Sequence, residues 1–321
     1  MAENNFSLQK TLTMLLDEKK YHSLRDILST MNPADIAAIF DDLDQACLPL
    51  LFRLLPKELA AETFVEMEPE AQELLIRGFS DSELKEVIDE LYVDDAVDIV
   101  EEMPANVVQR ILSQAEPDMR KQINEILRYP EDSAGSIMTT EYVSLRPNMT
   151  VEEAILRIRR TGIDKETIYT CYVTRGHKLI GLTSVKDLLL CEDDDATIES
   201  IMQEHVITVS TLDDKEQVAQ MFSKYNFLAL PVVDTEDRLV GIVTFDDAMD
   251  VMEDEATEDM EKMAAMLPSE HPYMRSTPIE IWKNRIPWLL LLMVSATLTG
   301  IVITKFEDSL AVLPCLTAFI P

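Results

Sequence analysis

Between Met31 and Ala115 an apolar side chain returns every twelve residues, at Met31, Leu43, Leu55, Met67, Phe79, Leu91, Met103 and Ala115. Most of these positions precede a helix-opening signal: Asn32-Pro33, Pro56, Glu68-Pro69, Ser80-Asp81, Pro104 and Glu116-Pro117. Proline is tolerated in a first turn, where its missing N–H had no partner, and small polar side chains cap the free N–H groups. Within each unit the apolar residues keep helical spacing, as in Ile36, Ile39 and Phe40, or Leu84, Val87, Ile88 and Leu91. Helices of two to three turns cannot bury a face alone. The pattern therefore predicts a stacked α-helical superhelix, a solenoid, over residues 1–130. It offers an interaction surface and no chemistry of its own.

From about Tyr129 the period changes. Ser136-Ile137-Met138 returns as Ser200-Ile201-Met202, and Val143-Ser144-Leu145 is answered by Ile207-Thr208-Val209. Each is followed by an acid-capped amphipathic helix (Thr150 to Arg160; Asp213 to Lys224), then by a β-branched strand (Tyr169 to Val173; Leu228 to Val233). Each half closes on one phrase, Leu179-Ile180-Gly181-Leu182-Thr183-Ser184 and Leu239-Val240-Gly241-Ile242-Val243-Thr244, with Asp187 or Asp247 three residues later. The glycine marks a hairpin or a close backbone approach, and Ser or Thr followed by Asp caps the next helix. This order resembles a tandem CBS-domain pair over residues 131–252, with halves at about 134–195 and 198–252. The resemblance implies a pseudo-symmetric, βαββα-like regulatory module, often dimeric. It also implies adenosine-nucleotide contacts at Ser184 with Asp187 and at Thr244 with Asp247. The same residues read equally as helix caps and nothing more.

Charge sharpens the picture where it is localised. The chain carries 60 acidic residues against 28 lysines and arginines, a net charge of −32. That balance argues against nucleic acid as a partner, because phosphate binding needs clustered cations. Nine acids fall between Asp246 and Glu261 with no lysine, arginine, glycine or proline among them. A long acidic connecting helix is expected over residues 246–275. On a helical wheel Asp247, Asp250, Asp254, Glu258 and Glu261 fall within about 80° of one another, opposite Ala248, Met249, Met252, Ala256, Met260 and Met263. Nothing basic nearby in sequence is expected to relieve their repulsion. A solvated face is the ordinary explanation. The sharper one is a divalent-cation site completed by carboxylates elsewhere, and Asp94 and Asp98, four apart on one helix, supply candidates. Oxygen donors without His or Cys suit Mg²⁺ or Ca²⁺ rather than zinc, and no EF-hand loop is present. The four cysteines form no CxxC pair, and no P-loop, nucleophile elbow, metalloprotease or dinucleotide motif marks an enzyme.

Met1 to Lys20 is polar, so no secretory signal is expected. Ile286 to Thr304 is a run of nineteen residues without a charge, enough for a membrane span. Trp282, Trp288, Lys283 and Arg285 suit its interface, and Pro278 to Asn284 reads as an amphipathic approach along the bilayer. Residues 276–321 are thus expected to hold that approach, a first membrane helix and the start of a second. The second run, Leu310 to Pro321, is too short to cross, so a truncated copy is expected.

The order of parts, an α+β multidomain chain of solenoid, CBS pair, acidic helix and membrane segment, resembles the MgtE family of magnesium channels. Local phrases agree: Arg128-Tyr129-Pro130-Glu131-Asp132-Ser133-Ala134-Gly135-Ser136-Ile137-Met138, Leu230-Pro231-Val232-Val233, and Glu255-Ala256-Thr257-Glu258-Asp259. The solenoid alone is less specific, since a similar superhelix occurs in a flagellar protein. The resemblance implies a homodimer joined through its CBS domains, in the cell (inner) membrane, with its N-terminal domains cytoplasmic. Mg²⁺ is then both transported and regulatory, with ATP a second candidate ligand. When internal Mg²⁺ is high, the ion shuts the pore through the connecting "plug" helix. The ligands it implies are Glu62, Asp94 and Asp98 on the solenoid, Gly135 (through its carbonyl), Glu216, Asp247 and Asp250 on the CBS module, and Glu255, Glu258 and Asp259 on the plug. Asn226 departs from the family pattern, which favours an acid there, and the pore aspartate is expected beyond Pro321. The competing reading from another class is a CBS regulator anchored by one helix and responding to adenosine nucleotides.

Overall fold

A computed structural model describes residues 2–41, 43, 45–267 and 278–305. The chain forms two compact units, Met1–Ala248 and Met249–Pro321.

The first unit opens with short helices in succession: α1 (Ala2–Asp17), α2 (Tyr21–Leu28), α3 (Pro33–Asp41), α4 (Leu48–Phe52), α5 (Lys57–Val65), α6 (Pro69–Gly78), α7 (Asp81–Ile88), α8 (Val93–Glu102), α9 (Ala105–Gln114) and α10 (Pro117–Ile126). The twelve-residue beat falls at the corners between them, and Leu55, Met67, Phe79, Met103 and Ala115 are buried there. Each corner thus drives an apolar side chain into the stack, while proline or a capping box opens the following helix, as Ser80 does with Glu83. One continuous core runs from Leu12 to Ala115 and includes Phe52, Phe64 and Phe79, whose rings lie 5.4–6.4 Å apart. Polar pins fix the stacking: Gln72 is buried and donates to the carbonyl of Phe64 at 2.9 Å, and Arg110 donates to that of Phe79 at 2.6 Å.

Two small sheets follow. The first joins β1 (Tyr142–Leu145), β2 (Thr167–Arg175) and β3 (Lys178–Ser184), with α11 (Val151–Thr161) between β1 and β2 and α12 (Val185–Leu190) after β3. The second joins β4 (Val209–Ser210), β5 (Ala229–Val233) and β6 (Leu239–Thr244), with α13 (Ile198–Ile201) before it and α14 (Lys215–Tyr225) inside it. In each sheet the first pairing is parallel and the second antiparallel. The halves also exchange their lead-in segments. Thr139 pairs with Ile242 (2.8 and 2.9 Å) and Gln203 with Leu182 (2.8 and 3.0 Å). The glycine of each closing phrase is explained by this exchange. A Cβ on Gly241 would sit 2.6 Å from the carbonyl oxygen of Thr139, and one on Gly181 2.9 Å from that of Gln203. Close backbone approach, rather than a turn, requires glycine at both places.

Some expected boundaries move. The strand expected at Ile207 to Val209 is Val209–Ser210, and the helix expected from Asp213 starts at Lys215, because Asp214 serves as its cap and accepts from the N–H of Gln217.

The acidic helix α15 (Phe245–Met263) begins in the first unit and continues into the second. It ends well short of residue 275. Ala265 takes left-handed backbone (φ 56°) and the N–H of Met266 closes on the carbonyl of Glu261, which terminates the helix. Lys262 pairs with Glu258 at 2.5 Å, so a basic side chain does relieve part of this helix, contrary to the sequence reading. Its methionine side is open: Met249, Met260 and Met263 are exposed, whereas Glu261 is buried. In the second unit the approach and the span form one helix, α16 (Pro278–Lys305), because Pro287 interrupts neither. Its stretch Ile281–Lys305 has a mean hydropathy of 2.2, none of it buried, and is long and apolar enough to cross a membrane. The second apolar run, Leu310 to Pro321, lies outside the described residues.

Candidate divalent-cation site

Helix α8 starts after Tyr92 without a side-chain cap, and its first turn carries Asp94 and Asp95. Acids there complement the helix dipole. The N–H of Val93 is taken by Glu141, which accepts it at 3.2 Å across the seam between solenoid and CBS module. Glu141 stands immediately before β1 and Glu166 immediately before β2. Since β1 and β2 are parallel, with Tyr142 opposite Thr167, their starts lie side by side, and the N–H of Glu166 donates to the carbonyl of Glu141 at 3.0 Å. One carboxylate oxygen from each of Asp94, Glu141 and Glu166 falls within 4.8 Å of the others. Asp246 and Asp247, in the first turn of α15, act electrostatically on the same group.

Asp94, Asp95, Asp98, Glu166 and Asp247 resist ionising together. Burial, then Asp94, Asp95, Asp246 and Asp247, push Glu166 up to about 9. Burial, then Asp247 and Asp246, push Asp95 up to about 7. Asp94 and Asp247 are each raised first by burial; among charged neighbours Asp95 adds most to the shift of Asp94, and Asp94 to that of Asp247. Asp98 is more open to solvent, and its carboxyl is raised by the surrounding protein and then by Asp247 and Asp94. The charged groups that shift Asp94, Asp95, Asp98, Glu166 and Asp247 most are other carboxyls, so ionising these five together is costly without added positive charge. Asp94 is only 6% exposed, yet its Oδ1 has no hydrogen-bond partner, and neither has Oε2 of Glu166. Oxygen-only donors at this spacing, with unsatisfied atoms turned inward, fit a hard divalent cation.

The structure brings together Asp94, Asp98 and Asp247 of the sequence candidates. Glu62 is exposed on α5 and takes no part in this cluster. Gly135 is buried, its N–H donating to the carbonyl of Thr211 at 3.0 Å, close to the start of α14, where Glu216 is exposed and accepts from Gln220. Asp250, Glu255, Glu258 and Asp259 lie on α15 within the second unit. Asn226 ends α14 in left-handed backbone (φ 55°). Glu141, Glu166 and Asp95 are cluster members that sequence reasoning did not select. At the other candidate site, Ser184 donates to Asp187 at 2.7 Å and accepts its N–H at 3.0 Å, and Thr244 donates to Asp247. Both are capping interactions. Asp247 therefore serves a helix cap and the acidic cluster at once.

Known proteins place this geometry in context. The family model of the MgtE intracellular N domain matches residues 31–132, and that of the CBS domain matches 134–192 and 198–254. "Magnesium transporter MgtE" of Thermus thermophilus is 37% identical over 319 residues, which is 98% of this chain and 70% of the relative. Its namesake in Bacillus subtilis is 31% identical, over 97% of this chain and 68% of the relative. Among solved structures, the cytosolic domain of the Mg²⁺ channel MgtE in complex with ATP superposes with a TM-score of 0.71 at 38% identity, covering 76% of this chain and 99% of that one. The soluble part of a magnesium transporter gives the same TM-score at 33% identity, covering 80% and all of it respectively.

Proposed function

The chain belongs to the MgtE family of magnesium transporters, and from that membership we propose that its solenoid and CBS pair sense Mg²⁺ and gate transport across the cell membrane. The observation that carries this reading is the buried Asp94 of the solenoid, with an unpartnered oxygen, gathered with Glu141 and Glu166 of the CBS module. Asp94, Glu141 and Glu166 would hold the ion, with Asp95, Asp98 and Asp247 around it. When bound, Mg²⁺ supplies positive charge at the centre of these carboxyls. The carboxyls repel when ionised and alone, which loosens α8 from the CBS sheet; neutralised, they keep solenoid and sheet together. Asp246 and Asp247 open α15, so the acidic helix that continues to Asp250, Glu255, Glu258 and Asp259 answers to the same charge balance. High internal Mg²⁺ thereby closes the pore, and low Mg²⁺ releases it, with the sensing domains on the cytoplasmic side.

The active assembly is proposed to be a homodimer joined through the CBS domains. Leu189 and Leu190 on α12 are 65% and 69% exposed, and Ile163 and Tyr169 of the same CBS half are exposed too, apolar surface that a second copy would cover. Nucleotide regulation is the second reading, favoured by the ATP complex of the structural relative. Limited proteolysis of the detergent-purified chain separates the two. Millimolar Mg²⁺ alone should slow cleavage after Val251. Protection by ATP alone, with none from Mg²⁺, would favour the nucleotide reading.

A further inference from the structure

At the hairpin end of the first CBS sheet lies a cleft of about 650 Å³ with three arginines and no acid in its lining. It is lined by Arg146, Arg157, Arg175 and His177, with the hydroxyls of Ser144 and Thr174 among them. We propose that this cleft binds a small phosphate-bearing anion. In a chain of net charge −32, three guanidinium groups on one cavity are not the mixed, solvated surface that solubility requires. Among the described residues, neither Arg146 nor Arg157 has an ion pair or a side-chain hydrogen bond. Arg175 commits one nitrogen to Glu199 at 2.8 Å and keeps its other donors. Three like charges around a cleft repel one another, and a multiply charged anion relieves that. Forked, permanently charged guanidinium groups fit phosphate oxygens bidentately, and hydroxyls add neutral donors. The volume lies within the ordinary range of small-molecule sites.

The cleft is separate from both sites described above. Glu141 and Glu166 precede β1 and β2, whereas Arg146 and Arg175 stand at the far ends of those strands. Along β3 the hairpin end at Lys178 and the Ser184 cap are six residues apart, roughly 20 Å. An anion here therefore uses neither the acidic cluster nor the Ser184–Asp187 and Thr244–Asp247 caps.

The test is calorimetric titration of inorganic tripolyphosphate into the detergent-purified chain, with EDTA present so that divalent cations play no part. Saturable binding is expected, weakened about tenfold or more by Arg146→Gln or Arg157→Gln. Asp187→Asn at the cap end and Lys121→Gln on α10 should leave the affinity unchanged. Arg146 is exposed, so its replacement does not endanger folding, and Arg157→Lys retains the charge at the half-buried position. Absence of saturable binding overturns the proposal. So does an unchanged affinity in the double variant Arg146→Gln/Arg157→Gln, or an equal loss in Asp187→Asn.

Discussion

A carboxyl that is buried, keeps one oxygen unpartnered and faces other carboxyls is held at a cost to stability, and Asp94 meets all three conditions. The sign of its pH dependence follows directly. Acids raised in the folded state bind protons more tightly there than in the unfolded chain. Their stability contribution is therefore complete below the ordinary carboxylate range, and it is lost as pH climbs through the values of Asp95, about 7, and Glu166, about 9. Metal-free protein should accordingly show a falling unfolding temperature between about pH 5 and about pH 9, and millimolar Mg²⁺ should flatten that fall. Uptake of Mg²⁺ near neutral pH should release protons, visible as a binding heat that changes with the buffer's ionisation enthalpy. Glu166→Gln should raise metal-free stability at pH 8 by ~1–3 kcal/mol in chemical denaturation while removing most of the gain from Mg²⁺. A loss of metal-free stability in that variant would count against charge crowding. Asn226 is a different kind of residue. Its left-handed backbone suits Asn, Asp or Gly, so Asn226→Asp should fold normally, whereas Asn226→Val should cost ~1–2 kcal/mol.

Among the elements, legibility followed locality. The solenoid could be read because each corner needs a buried apolar residue and each helix a start signal within four residues of it. The CBS halves could be read because Gly181 and Gly241 sit in matching phrases. Their exchanged pairing with Gln203 and Thr139 gives those glycines a measurable role. Gly241→Ala should destabilise by ~1–3 kcal/mol in denaturant titration, since the new methyl meets a backbone carbonyl. Gly78→Ala, with open space around its Cβ, should be neutral or stabilising. The candidate site was half legible. Asp94, Asp98 and Asp247 stood out as acids at helical spacing, but Glu141 and Glu166 are isolated in sequence. Only the parallel pairing that sets Tyr142 beside Thr167 brings them together, and the sign available beforehand was an acid immediately preceding each of two strands destined to pair. The end of α15 was missed because it depends on one left-handed alanine, Ala265.

For the whole molecule, membership in a magnesium-transporter family and a cluster of crowded carboxyls point the same way. Charge substitution on the exposed apolar surface of α12 probes assembly. Leu189→Asp with Leu190→Asp should convert a dimer to a monomer in sedimentation velocity, without altering thermal unfolding of the solenoid. The most direct trial of Mg²⁺ sensing is hydrogen exchange at the Val93 amide, which donates to Glu141 across the seam between solenoid and CBS sheet. Millimolar Mg²⁺ should slow that exchange in the wild-type chain and leave it unchanged in Asp94→Asn/Glu166→Gln. Equal slowing in both proteins, or none in either, would contradict a cation held by these carboxyls.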